Sequence, residues 1–203
     1  FSYNGKLNFK PFYSYLEGST TELNFNHLFS TNAIIRQLLK TEIFNNKNID
    51  FRLNISANKT KNFDNFTNIF LNSKIQEGLI DLDQTKFSWK NHANFSFTDS
   101  LIYVKSGKLV LDANSEIKLI NLDEIYKFLI TPKNLRKKIN KINVNFTYIF
   151  DEKILNINDI KVDNIFDKNL LNNLNEINLK KNSLQNKVYL KKFLNDLIKN
   201  YTG

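Results

Sequence analysis

Alternation of apolar and polar residues is the feature that most constrains this chain. Ile142, Val144, Phe146, Tyr148 and Phe150 alternate with Asn143, Asn145 and Thr147, and only Ile149 breaks the pattern. Ile49, Phe51, Leu53 and Ile55 repeat it around Asp50, Arg52 and Asn54. A period of two puts every apolar side chain of an extended strand on one face. The resulting sheet has one apolar and one solvated side, and the apolar side must be hidden by curling, by helices or by a ligand.

The same period recurs along the chain. Ile69, Leu71, Ser73 and Ile75 share a face; Ile80 and Leu82 follow a turn at Glu77-Gly78. Phe87 pairs in phase with Trp89, and Phe95 with Phe97. Residues 101–105 and 108–111 flank Ser106-Gly107, a hairpin turn signal, and residues 115–120 continue the sheet. Residues 154–162 form a strand after Asp151-Glu152-Lys153. Short strands are predicted over 6–9 and 21–26, set apart by Pro11 and Glu17-Gly18. Strand signals every 8–12 residues or so, joined by tight turns, predict an antiparallel meander.

Three segments change to helical spacing. Ile34, Ile35, Leu38, Leu39 and Ile43 predict a helix within 31–45, with Ser30 or Thr31 as cap. Leu122, Ile125, Tyr126 and Leu129 predict another, ending before Pro132. Leu190, Phe193, Leu194, Leu197, Ile198 and Tyr201 predict an amphipathic C-terminal helix. The expected organisation is a sheet domain over 1–163 with a helix near 31–45, then a linker and the amphipathic helix over 164–203.

Charge is less informative than it looks. The net charge is +9, but about one residue in six is Asn, Lys is abundant, and the only arginines are Arg36, Arg52 and Arg136. That usage points to an AT-rich coding sequence, and Lys spread along the strands is not a nucleic-acid patch, so no nucleic-acid partner is expected. The densest cationic run, Lys133, Arg136, Lys137, Lys138 and Lys141, reads either as a solvated face or as a contact for phospholipid head groups or an acidic partner. There is no Cys, hence no thiol chemistry. No stretch has the roughly 20 apolar residues that span a bilayer. Phe1 in place of Met reads as the start of a fragment, with any anchor or export signal upstream.

Reactive groups are sparse. His27 and His92 lack the spacing of a metal site, no nucleophile elbow occurs, and the five glycines are too scattered for a phosphate loop. No cofactor, metal or catalytic residue is expected. Asp81 and Asp83 share a strand face as some glycosidase acids do, but Ile80 and Leu82 take the apolar side and leave both acids to solvent. Asp123-Glu124 and Asp151-Glu152 read as helix-end or turn charges. Asn-x-Ser/Thr triplets, as at Asn54 and Asn94, are expected by chance at this Asn content. Phe87, Trp89, Phe95, Phe97, Phe146 and Tyr148 form an aromatic stripe; periodicity alone favours an ordinary core over a lipid groove.

Residues 78–130 and 136–164 carry a resemblance. Gly78 opens a strand, Asp99-Ser100 precedes one, and Gly107, Leu109 and Leu111 form a Gly-x-Leu-x-Leu turn. Residues 123–128 and the aromatic strand before Asp163 add to it. Together they resemble the C-terminal region of AsmA-like proteins, relatives of TamB and the bridge-like lipid-transfer proteins, over roughly residues 48–203. The resemblance implies a curved sheet with an apolar concave face, partly capped by the C-terminal helix. It also implies a periplasmic, non-enzymatic protein of a Gram-negative envelope, tethered to the inner membrane by a segment outside this chain. Its groove would be lined by Leu53, Ile55, Ile69, Leu71, Ile80, Leu82, Phe87, Trp89, Phe95, Phe97, Leu109, Leu111, Val144, Phe146 and Tyr148. Lys133, Arg136, Lys137 and Lys138 would meet head groups or an acidic partner. The implied role is phospholipid transport between the membranes and outer-membrane biogenesis. The competing role is a periplasmic scaffold that pairs its edge strands with outer-membrane assembly proteins.

Overall fold

Eleven strands belong to one sheet. In chain order they are β1 Ser2–Phe9, β2 Phe12–Leu23, β3 Ile49–Thr60, β4 Phe66–Gln76, β5 Leu79–Asp81 and β6 Lys86–Trp89. They continue as β7 Ala93–Lys105, β8 Lys108–Leu119, β9 Lys141–Ile149, β10 Ile154–Val162 and β11 Ile165–Phe166. Among the described residues, the helices α1 Ile34–Lys40 and α2 Leu122–Leu129 and 3-10 turns at Ile43–Asn45 and Lys133–Leu135 join them, and helical positions recur beyond residue 166. The computed structural model describes residues 2–10, 12–24, 34–41, 43–61 and 66–166, with positions 168, 170, 172, 191, 194, 195, 198 and 201. The side chains of Ile34 and Ile35 lie outside that description.

The chain is mainly β, as its alternation requires. The strand order is β1-β2-β3-β4-β5-β7-β8-β9-β10-β11, with β6 pairing both β4 and β7. One register row carries the apolar face across nine of these strands. It runs Leu7, Ser14, Phe51, Ile75, Ile80, Ile102, Leu111, Tyr148 and Leu155. Parallel rows hold Ile55 with Leu71, Ala113 with Phe146, and Ser115 with Val144.

A pure antiparallel meander is corrected at one pair. β2 and β3 run parallel, because residues 24–48 carry the chain back to the starting end through α1. A tight turn cannot make that return, whereas a crossover with a helix can. The early strands are also longer than expected. β2 continues through Glu17-Gly18, which pair with Asn4 and Tyr3 on one side and Asn54 and Ile55 on the other. Neighbouring strands on both sides override the local turn signal.

α1 covers the middle of the apolar face. Leu39 is buried against Ile55, Ile69, Leu71, Ile80 and Leu109, and Phe44 of the 3-10 turn packs on the same cluster. Of the expected helical stripe, Leu38 is half-buried and Ile43 exposed, while the Ser30 and Thr31 caps fall outside the described residues. A seven-residue helix is too short to stand alone, and Asp151 secures it. Asp151 Oδ1 accepts from Arg36 Nη2 at 2.7 Å and Lys40 Nζ at 2.6 Å; Oδ2 accepts from the Leu109 backbone N–H at 2.9 Å. Arg36 is 5% exposed and Leu109 fully buried. Burial works against the Asp151 charge, but the bonds from Lys40, Leu109 and Arg36 prevail and hold its pKa down at about 2.

A second cluster covers the far end of the same face. Ile139, Ile160 and Val162 pack with Leu170, Leu194 and Tyr201. Of the expected C-terminal helical stripe, Leu194 and Ile198 are helical, as are Lys191 and Asn195, whereas Tyr201 is not; Leu190, Phe193 and Leu197 lie outside the described residues. The sheet itself extends past residue 163, since β11 pairs with β10.

Tight turns set the registers. Glu77 and Gly78 have φ of 50° and 77°, Ser106 and Gly107 51° and 72°, Asp163 and Asn164 49° and 69°. Paired left-handed residues are the hairpin geometry that matches strand twist. Gly78 has a second reason: a Cβ there would lie 1.8 Å from Asn45 Oδ1, and its N–H donates to Phe44 O at 2.7 Å. Asp163 replaces glycine because its Oδ1 accepts the backbone N–H groups of Asn140 at 3.0 Å and Lys141 at 2.8 Å, where β9 begins.

α2 starts where Asn121 Oδ1 accepts from Glu124 N at 3.2 Å and stops at Ile130, which is left-handed with φ 60° and 75% exposed. A β-branched residue is strained there. Ile130→Gly therefore stabilises the chain by about 1 kcal/mol, raising Tm by roughly 2–4 °C in a thermal melt. Asp151→Asn weakens the grip on a buried guanidinium and lowers the unfolding free energy by about 3 kcal/mol, read by urea titration at pH 7. Because the folded Asp151 pKa lies below the ordinary value of about 4, its contribution is present above that value and disappears as pH falls through about 2. The wild-type protein then loses stability between about pH 4 and 2 that the Asn variant does not lose.

Candidate functional site

The fifteen residues expected to line a groove all belong to the apolar side, but they divide in two. Ile55, Ile69, Leu71, Ile80, Leu82 and Leu109 are buried core, filled by Leu39 and Phe44. Leu53, Phe87, Trp89, Phe95, Phe97, Leu111, Val144, Phe146 and Tyr148 are half-buried. The first group presents no surface to a ligand; the second does.

Aromatic rings join that second group into a row. Phe87 stacks on Phe95 with centroids 4.8 Å apart, and Phe66 stands edge-on to both at 5.3 and 6.1 Å. Phe97 meets Phe87 at 6.2 Å and Phe146 at 6.4 Å, carrying the row from β6 through β7 to β9. Tyr148 contacts Phe150 at 5.0 Å, and burial pushes the Tyr148 hydroxyl pKa up. Trp89 flanks the row, edge-on to Phe128 of α2 at 4.9 Å. Edge-to-face and offset contacts at these separations hold rings in a defined geometry. The row lies between the patch under α1 and the patch under Leu170, Leu194 and Tyr201.

Phe66 was not among the expected lining residues. Its alternation with Ile69 fails by one position because Asn68 has φ 51° and the β4–β6 register shifts between Thr67 and Phe70. A bulge of this kind changes which side later residues face. The only sequence signal is the Asn itself, and Asn is everywhere in this chain.

The basic segment behaves differently from its expected role. Lys133 and Lys138 are exposed. Arg136 and Lys137 instead serve the chain's own backbone: Arg136 Nε donates to Thr131 O at 3.2 Å, and Lys137 Nζ to Tyr201 O. Their cationic heads sit 5.8 Å over the Tyr126 ring and 5.2 Å over the Tyr201 ring. Between α2 and β9 there is no ladder, so side chains supply the missing partners. Asn195 Nδ2 likewise donates to Leu129 O at 2.5 Å. Among the described residues, Lys133 and Lys138 are the two of the four that make no such backbone contact.

Asp81 and Asp83 are not solvated spectators. Asp83 Oδ1 accepts from Ser100 N at 2.8 Å, and Asp81 Oδ1 from Asp83 N at 2.7 Å. They hold the β7 bulge at Asp99, φ 48°, where Ser100 is fully buried. Among the described residues no three His, Cys, Asp or Glu side chains gather as a metal site, and no helix is long and apolar enough to cross a membrane. His27 lies outside the described residues, and His92 packs edge-on to Trp89 at 5.1 Å.

The polar side carries a chain of side-chain bonds. Asn114 donates to Asp99 at 3.3 Å, Asn145 to Asn114 at 2.6 Å and Asn158 to Asn145 at 2.9 Å. Asp112 accepts from Tyr103 and Thr147, each at 2.6 Å, and the bond to Asp112 pushes the Tyr103 pKa up to about 12. These groups are paired to one another across β7 to β10, which ties the strands together. The apolar row offers dispersion and burial to a ligand. No family model matches this chain, and neither a curated protein nor a solved structure is found to be similar to it.

Proposed function

We propose that this chain is a non-enzymatic, AsmA-like envelope module whose half-buried aromatic row carries phospholipid acyl chains, in the periplasm of a Gram-negative bacterium. The supporting observation is the row from Phe66 through Phe87, Phe95 and Phe97 to Phe146, bounded on both sides by filled core. Each methylene that leaves water for such a surface contributes about 0.8 kcal/mol. A row of rings without a polar anchor gives no position a strong preference, so a chain can slide. Lys133 and Lys138 are the exposed cations of the basic segment that head groups would meet. On this reading the protein supports phospholipid movement between the membranes and outer-membrane biogenesis, with the membrane tether in a segment outside this chain.

The test is native mass spectrometry and lipid extraction of the chain purified from a bacterial periplasm. Phospholipid is expected in proportion to protein, with at least about a tenfold loss in Phe146→Asp and in Phe97→Ser. Thr98→Asp, at an exposed position off the row, is expected to keep its lipid. A lipid-free wild-type protein, or full retention by folded Phe146→Asp and Phe97→Ser, would falsify the proposal.

A further inference from the structure

We infer that the outer edge of β1 is a strand-addition site for an extended, acidic segment of a partner protein, with a cleft at its end that takes an apolar anchor side chain. The inference is independent of the acyl-chain reading, because it concerns another part of the sheet.

β1 is an end strand of the sheet, paired only with β2 among the described residues. All eight of its residues are exposed. Natural edge strands are blunted by shortness, proline, bulges or a covering element. β1 pairs with β2 over its whole length without a register shift, contains no proline, and carries a single lysine. Its length of about 27 Å matches an eight-residue strand. The backbone N–H and C=O groups that an end strand turns outward can be completed by an added strand.

Side chains on β1 specify what that strand contains. On the apolar side Leu7 is 54% exposed and Phe9 72% exposed. Gly5 between them and the chain start has no room for a Cβ, which would lie 2.6 Å from Leu16 Cδ2. Leu16 therefore lies over the glycine and offers apolar surface at that row. On the other side Lys6 is exposed, and neither Lys6 nor Lys10 makes an ion pair among the described residues. An added strand thus places apolar residues opposite Gly5, Leu7 and Phe9, and an acid opposite Lys6. Cross-strand pairs of these kinds favour one sequence pattern over another.

The cleft supplies the anchor. Phe9, Phe12 and Ile49 form one register row at the hairpin end of the sheet. Leu38 of α1, with Ile43 and Phe44, faces that row across a cleft of about 630 Å³, and Lys10 stands in its wall. A strand added beside β1 extends the row by one position, so the residue opposite Phe9 reaches the cleft opening. Pockets for alternate side chains are how strand addition becomes specific. Lys6 on the exposed edge and Lys10 in the cleft wall complement an acidic segment and oppose a second copy carrying the same cations.

Fluorescence anisotropy on the full chain tests this, with labelled synthetic peptides of about eight residues. The probe alternates Phe or Leu with Glu; its controls alternate the same apolar residues with Lys, or carry methylated alternate amides. The acidic peptide is expected to bind, the basic peptide at least about tenfold more weakly, and the methylated peptide not at all. Leu7→Glu and Phe9→Glu are expected to weaken binding at least about tenfold, with far-UV circular dichroism unchanged. Lys6→Glu, at an exposed position, is expected to shift preference toward the basic peptide, an outcome that misfolding cannot mimic. Equal binding of all three peptides, no binding of the acidic one, or indifference to Phe9→Glu and Lys6→Glu overturns the inference. So does a dimer in sedimentation that Leu7→Glu abolishes, since the occupant is then a second copy.

Discussion

The architecture turns on the Asp151 carboxylate. One oxygen takes both cations of α1, and the other takes the last ladder N–H of β8 at Leu109. The side chain thereby continues the β8–β9 hydrogen bonding into the turn and fixes a helix over the apolar face at the same point. Beside that clamp, Leu39 packs α1 onto the core formed by Ile55, Ile69, Leu71, Ile80 and Leu109, and so short a helix depends on tertiary contacts of this kind. The parallel β2–β3 pair has the same origin, because the crossover that carries α1 returns the chain to the end where β2 began.

Among the described residues, cover sits at two places on the apolar side of the sheet. α1 seals one part of the apolar side, and Leu170, Leu194 and Tyr201 seal another. The aromatic row fills the interval with rings that pack on each other and keep part of their surface accessible. At the β1 edge the apolar side ends with Leu7 and Phe9 exposed. An acyl chain on the row and a partner strand on the edge would use the same apolar side at separate places, one through burial alone and one through backbone pairing with side-chain selection.

The polar side explains why so many asparagines are tolerated. Their number alone does not account for their placement. Asn114, Asn145 and Asn158 bond in sequence across β8, β9 and β10, and Asp112 draws in Tyr103 and Thr147. An amide has both donors and an acceptor, so it can relay a bond from strand to strand where a lysine cannot. Asp163 and Asn164 likewise occupy left-handed positions that glycine would ordinarily take.

Sequence by itself determined which residues share a face, because period two is a property of each strand alone. The phases of Ile69 to Ile75, Phe87 with Trp89 and Val144 to Tyr148, the Ser106-Gly107 turn, α2 and the span of β10 were all legible on that basis. Only the tertiary structure decided what depends on contacts between distant segments. The parallel crossover was such a decision, as was the passage of β2 through Glu17-Gly18 between two neighbours. Burial split the apolar residues into filled core under α1 and a half-open aromatic row, a division that alternation cannot express. Arg136, Lys137 and Asp83 read locally as solvated charges, yet each completes backbone groups that lack a ladder partner. A pattern along one strand reports a side chain's direction; what waits there is set by the rest of the fold.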